Sequence, residues 1–172
     1  MKSIMWFARF SWDAWQQWPG ACELAGARVY RSEDGAEGCA YWMQDDRPAG
    51  LAAGVSLVQL KPLLVVPGAS TGADAPWHYI VATDVLPEHE ADFNAWYEQE
   101  HLPGLAAVPG TVAAARYASV DGTGPRYHAC YDLADRAAFN SPAWLAVRGT
   151  PWSARVRPSF RNTLRTMYRR VA

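Results

Sequence analysis

The chain has 172 residues, half of them hydrophobic, with 16 basic and 17 acidic residues and a formal net charge of −1. This is enough apolar material for a real core in one large or two small domains, and it lacks the basic excess of a nucleic-acid surface. No apolar run approaches a bilayer span. Three cysteines, Cys22, Cys39 and Cys130, with no Cys-x-x-Cys or His-x-x-x-His pair, predict a reducing, cytoplasmic setting without a disulfide framework or a zinc site.

The first apolar stretch, Met1-Lys2-Ser3-Ile4-Met5-Trp6-Phe7, stops at Arg9 with no small-residue cleavage site after it, so Ser3 to Arg9 reads as a strand rather than a signal peptide. Trp12, Trp15 and Trp18 recur every three residues, as on a helix face. Strands over Ala27–Ser32 and Gly38–Met43 flank a turn at Glu33-Asp34-Gly35. Arg47–Ala53 reads as a short helix and Ser56–Val66 as a last strand. Residues 67–76 are small, polar and rich in turn formers, and read as a linker. The nine tryptophans could line a pocket, but composition alone favours an aromatic core.

The second half reads more clearly. Trp77–Val85 is a strand, and Leu86-Pro87-Glu88 opens a helix that ends near Leu102, before Pro103-Gly104. Glu90, Phe93, Asn94, Trp96, Tyr97, Glu100 and His101 share one broad face of that helix; Ala91, Asp92, Ala95, Glu98 and Gln99 form the solvated one. Strands over Thr111–Val120 and Arg126–Leu133 enclose a hairpin turn at residues 121–125. Ala134–Val147 is a helix broken at Ser141-Pro142, residues 152–158 are irregular, and Ser159–Val171 is the final strand. The order β-α-β-β-α-β is the ferredoxin-like split motif.

The first half looks like a worn copy of the second. Trp18-Pro19-Gly20 parallels Leu102-Pro103-Gly104, 84 residues on. Arg28-Val29-Tyr30 parallels Arg116-Tyr117, and Asp34-Gly35 parallels Asp121-Gly122. One layer of helices covers only one face of such a sheet, so the bare faces must be buried against each other. The expected fold is α+β, with residues 1–66 and 77–172 as tandem ferredoxin-like halves forming a pseudo-dimeric α/β barrel, itself able to pair as a homodimer.

The run from Asp84 to Pro103, with Phe93-Asn94-Ala95-Trp96-Tyr97-Glu98-Gln99-Glu100-His101-Leu102-Pro103 at its centre, resembles the helix motif of EthD-like proteins of the dimeric α/β-barrel superfamily. Val108-Pro109-Gly110, Ala115-Arg116-Tyr117 and Tyr127-His128-Ala129-Cys130-Tyr131 continue the likeness, which covers the second half. The resemblance implies a group that includes cofactor-free monooxygenases, polyketide cyclases, muconolactone isomerases and decarboxylases; some barrels of this fold bind haem through a histidine. Such a fold does not specify a reaction.

His101 at a helix C-terminus should have a raised pKa, because the dipole favours a cation there and Glu100 would add to it. It could shuttle a proton or merely cap a carbonyl, and relatives of this fold often use that histidine. Gln17 takes its place in the first half. Tyr97 and Asn94 lie one and two turns earlier; Tyr97 could donate to a substrate oxygen and Asn94 could orient His101 or bind the substrate. Arg116, on a half-buried strand, wants an anion: Glu100, Asp84, or a substrate carboxylate or phenolate. His128 is expected in the same cavity, with Trp96, Tyr131 and Glu100 shaping it and His78 a weaker candidate. His89 is expected in solvent, as is the series Arg161, Arg165, Arg169 and Arg170.

The expected function is cofactor-independent acid–base catalysis, of lyase, isomerase or cyclase type, on a small hydrophobic or aromatic carbonyl or phenolic compound, with no metal, nucleic acid or membrane involved. His101, Tyr97 and Arg116 would be catalytic. A non-catalytic binding or accessory protein, a cofactor-free monooxygenase and a structural subunit are the alternatives.

Overall fold

The structure is a computed structural model and describes residues 4–18 and 26–171. Eight strands form it: β1 (Ile4–Ser11), β2 (Arg28–Ser32), β3 (Glu37–Gln44), β4 (Ser56–Pro67), β5 (Trp77–Val85), β6 (Thr111–Ser119), β7 (Tyr127–Leu133) and β8 (Phe160–Arg170). They close into one antiparallel barrel in the order β1-β3-β2-β8-β5-β7-β6-β4. The order β4-β1-β3-β2 in the first half repeats as β8-β5-β7-β6 in the second, as expected for tandem ferredoxin-like halves. Two seams join them. β2 meets β8 from Tyr30 opposite Arg170 to Ser32 opposite Tyr168. β4 meets β6 from Leu60 opposite Ser119 to Pro67 opposite Ala113, with a shift of register between Pro62 and Leu64; a proline has no N–H for the ladder, and a bulge accommodates it.

Closure gives each strand an inner and an outer face. The interior holds Phe7, Tyr41, Leu60, Ile80, Tyr117 and Tyr168 among others. The outer face of the second half packs Phe93, Trp96, Tyr97, Leu105, Tyr131 and Trp144 under helices. The first half has little helix to offer. α1 (Trp12–Gln17) is six residues long, and the short helix expected over Arg47–Ala53 is absent, its place taken by bends and turns with Gly50 at φ +67°. Indoles cover that face instead: Trp12 and Trp15 pack on Trp6, Phe10 and Trp42, with Phe10 and Trp15 stacked at 4.4 Å. Pro19-Gly20 of the proposed repeat, and Cys22, lie outside the described residues.

The signature helix does not stop at Leu102. A 3₁₀ turn (Pro87–His89) leads into α2 (Glu90–Trp96), then a π turn (Tyr97–His101), then α3 (Leu102–Ala106). The Leu102 N–H bonds the Tyr97 carbonyl, five residues back. A proline ring clashes with the carbonyl four residues before it in a regular α-helix; the wider π turn relieves that clash, and the helix runs on through Pro103. Beyond β7, α4 (Pro142–Arg148) is capped by Ser141 Oγ and α5 (Pro151–Val156) by Thr150 Oγ1. Thus α5 occupies much of the stretch expected to be irregular. The helix expected from Ala134 begins only at Pro142, after a 3₁₀ turn capped by Asp135 and a left-handed Asn140 at φ +61°.

Residues 68–70 bond to the second half: Gly68 and Ser70 N–H reach the Val112 and Thr111 carbonyls at 2.9 Å, and Ala69 N–H reaches Ala106 at 2.8 Å. Among the described residues no helix is long and apolar enough to cross a membrane.

α3 approaches α4 closely at Gly104, where a Cβ would lie 2.8 Å from Val147 Cγ1. Gly104→Leu should therefore destabilise the fold by about 1–3 kcal/mol through overpacking. Adding Val147→Ala should recover most of that loss in a urea-unfolding double-mutant cycle.

Candidate functional site

The helix is held to the sheet by a buried cation. Arg116 on β6 is 1% exposed. Its guanidinium carbon lies 4.9, 4.4 and 4.8 Å from the ring centroids of Phe93, Tyr97 and Tyr127, and Nη2 donates to Asn94 Oδ1 at 2.7 Å. Asn94 donates to the Tyr127 hydroxyl, which donates to Glu90 Oε1 at 2.6 Å. The anion expected beside Arg116 is thus neither Glu100 nor Asp84 but three ring faces and an amide oxygen. Burial pushes its pKa down, only partly offset by Tyr97 and Tyr127.

Past this anchor the π turn arranges the pocket side of the helix. In an α-helix, residues five apart point about 140° away from each other; the wider turn brings them onto one side. Trp96 and His101 accordingly stack at 4.0 Å and 22°, and the indole N–H of Trp96 donates to Ser153 Oγ on α5. His101 then faces a cavity between helices and sheet. Tyr79 and Val81 of β5, Tyr131 of β7, Trp96, Tyr97, Leu105, Trp144 and Phe160 wall it, and Arg148, Arg157 and Arg165 stand around it. The centre of a water-sized sphere has about 30 Å³ of room in it, and its free space, open solvent at the mouth included, is about 380 Å³. Three buried polar atoms on lining residues, His101 Nδ1, the Tyr131 hydroxyl and Trp144 Nε1, have no hydrogen-bond partner among the described residues. Unpaired buried polar atoms are uncommon and costly, and three on residues of one cavity wall leave hydrogen-bonding capacity unmet there.

His101 is 8% exposed, and its pKa is lowered to about 3 by burial and then by the charges of Arg148 and Arg157. This reverses the expected rise. The helix continues to Ala106, so the imidazole meets no free carbonyl end and no dipole terminus. Burial likewise raises the pKa of Tyr97 and holds that of Tyr131 far above the usual phenol.

Of the other expected residues, Trp96, Tyr97 and Tyr131 line the cavity and Asn94 serves Arg116. Glu100 accepts from Thr150, the cap of α5, and is not in the cavity wall. His128 lies on the opposite face of the sheet from His101, in the barrel interior, edge-on to Phe7 at 5.4 Å; burial, then Arg9, lowers its pKa to about 4. His78 is also interior. Its Nδ1 meets Asp132 Oδ1 at 2.6 Å, its Nε2 meets the Tyr41 hydroxyl at 3.0 Å, and that hydroxyl sits 3.4 Å from Cys130 Sγ. Arg165 is exposed, as expected, and stands at the rim of the cavity. Trp144, Arg148 and Arg157 were not anticipated. The signal available for the first two was the Ser141-Pro142 cap, which starts a helix that puts positions 144 and 148 one turn apart on one face.

No family model matches the chain, and no curated protein does. Solved structures do. An anthrone oxidase-like protein superposes with a TM-score of 0.70 at 14% identity, over 100% of this chain and 92% of the other. A ferredoxin-fold protein related to antibiotic biosynthesis monooxygenases, from Listeria monocytogenes, gives 0.64 at 8% identity, over 99% and 96%. LmHde, a heme-degrading enzyme from Listeria monocytogenes, gives 0.60 at 10% identity, over 96% and 98%. At these identities the likeness establishes the fold, that of the ferredoxin-fold dimeric α/β barrels.

His101 and His128 bind protons more weakly folded than unfolded, so the unfolded chain takes up more protons as pH falls below about 6.5. Stability is complete above that pH and should fall by about 2 kcal/mol per histidine on reaching pH 5. Urea unfolding at pH 7.5, 6 and 5 should show the loss, and a His101→Phe/His128→Phe variant should lose most of the slope.

Proposed function

We propose that the chain is an enzyme that transfers a proton at the His101 cavity, acting without a bound cofactor on a small aromatic compound bearing a phenolic or carbonyl oxygen. The observation carrying this reading is the trio of unpartnered buried polar atoms at His101, Tyr131 and Trp144. The unpartnered polar atoms suit a ligand's oxygen, and the aromatic rings of the walls suit the body of the molecule. Trp144 N–H and Tyr131 O–H are donors for that oxygen, and neutral His101 can accept its proton. An imidazolium is disfavoured here by burial and by two arginines, so the proton settles on His101 only when an anion forms beside it.

Loss of that proton leaves an electron-rich anion. It can protonate elsewhere, as in an isomerase, eliminate, as in a lyase, or give electrons to dioxygen. The names of the neighbouring structures, an anthrone oxidase-like protein and a relative of antibiotic biosynthesis monooxygenases, support oxygenation over the other two. The Trp96-Tyr97-Glu98-Gln99-Glu100-His101 motif supports a place among EthD-like proteins, and the buried free thiols of Cys39 and Cys130 support a reducing cytoplasmic setting. Haem, which one neighbour degrades, does not match this cavity: a four-ring macrocycle is too wide for the space between Tyr79, Trp96, Tyr131 and Trp144.

Phenols and anthrone-type ketones should give either carbon-bound deuterium exchange alone or exchange with oxygen uptake. His101→Ala should lower the rate about 10²- to 10⁴-fold, and Tyr131→Phe less. Binding of these compounds at the cavity with neither exchange nor oxygen uptake would move the chain to the carrier class.

A further inference from the structure

Three guanidiniums gather at the mouth of the cavity from three separate elements: Arg148 at the end of α4, Arg157 just after α5, and Arg165 on β8. The salt bridges of the described residues take Arg9, Arg126, Arg136, Arg155 and Arg170 and leave these three without an acidic partner. The contrast with Arg155 is local: two residues before Arg157, it pairs with Asp92 at 3.0 Å. Burial of Arg157, and after it the like charges of Arg148 and Arg165, lower its pKa. In a chain whose net charge is −1, such a concentration of unpaired cations costs folding energy and is not a by-product of a basic composition.

Resting on the reading of the His101 cavity as the ligand site, we infer that its ligands are small aromatic carboxylates, with the carboxylate held at the mouth by Arg148, Arg157 and Arg165 and the ring directed inward to His101, Tyr131 and Trp144. Each part answers to a feature of the walls. Guanidinium forks match carboxylate oxygens in pairs. The rings of Tyr79, Trp96 and Phe160 suit a flat apolar body. The orphaned donors beneath suit a second oxygen at the far end of the ring. A neutral ligand of the same size would leave three repelling cations without a counter-charge.

The test compares 2-naphthoate with 2-naphthamide, alike in shape and different in charge, each titrated into the full chain. Binding is followed through the indole N–H resonance of Trp144, assigned with Trp144→Phe. Naphthoate should bind about tenfold tighter or better, with an affinity that falls as salt rises. In R148Q/R157Q/R165Q the gap should shrink to about twofold. Should the triple variant fail to fold, R165Q alone, on the exposed rim, should still narrow the gap about threefold. Equal affinity of the two compounds, with the Trp144 resonance moving in both, would overturn the anionic class and leave the cavity as a ligand site. A Trp144 resonance that neither compound moves would overturn both.

Discussion

A guanidinium buried without a carboxylate sets the geometry of the second half. Stripping an ion of water is expensive, and a carboxylate is the usual compensation. Arg116 has instead three aromatic faces and the Asn94 oxygen. Ring quadrupoles attract a cation more strongly once water is gone, and the cage contributes apolar packing that a carboxylate would not. Because Phe93, Asn94 and Tyr97 sit on the helix while Arg116 and Tyr127 sit on the sheet, the cage fixes how the helix is rotated over the strands. The π turn that begins at Tyr97 starts from that fixed orientation, and with it the direction of His101.

The two halves share a strand order but not a way of covering it. Helices lie over the second sheet and leave a small polar cavity beneath them. Stacked indoles close the first, on Trp6, Phe10 and Trp42. The barrel interior between the halves carries the chain Asp132–His78–Tyr41–Cys130, in which each polar group meets another. The free space beside it, open solvent included, is about 250 Å³. Burial opposes ionisation of Asp132, but the hydrogen bond from His78 and the nearby Arg28 outweigh it and keep the carboxyl below its usual range. These groups satisfy one another, whereas the polar atoms at His101, Tyr131 and Trp144 do not. That difference separates an internally satisfied polar network from one with unmet hydrogen-bonding capacity.

Much of this was legible from residue spacing. A period of two in β7 puts His128, Cys130 and Asp132 on one face and Tyr127, Ala129 and Tyr131 on the other, and the structure agrees. The same parity rules out a shared cavity for His128 and Tyr131, since a sheet lies between them, and the expectation that joined them disregarded the period of two. The helix was legible as an element but not in its phase. Pro103-Gly104 normally ends a helix, and nothing local announces that a wider turn before the proline will carry it through. The misplaced end of the helix is also the reason the titration of His101 was expected in the wrong direction. The arginine mouth was hidden for another reason: Arg148, Arg157 and Arg165 are distant from the signature motif in sequence and meet only through tertiary packing.

The electrostatics of the pocket constrain its chemistry more tightly than the identity of any one residue. A histidine exposed to water would hold a proton part of the time at neutral pH and could act as acid or base. Buried beneath arginines, His101 stays neutral, and the cavity disfavours any further positive charge. Negative charge is favoured in the same place by the same guanidiniums, and the Tyr131 hydroxyl and Trp144 N–H have no partner among the described residues. A site of this kind can lower the pKa of a bound phenol or carbon acid, by stabilising the anion rather than by supplying a strong base. The proton has a place on the imidazole once that anion stands beside it, because the pair is neutral where the imidazolium alone would not be. On the proposed reading, stabilising an anion falls less on His101, where the motif directs attention, than on the positive field of the surrounding helices and strand.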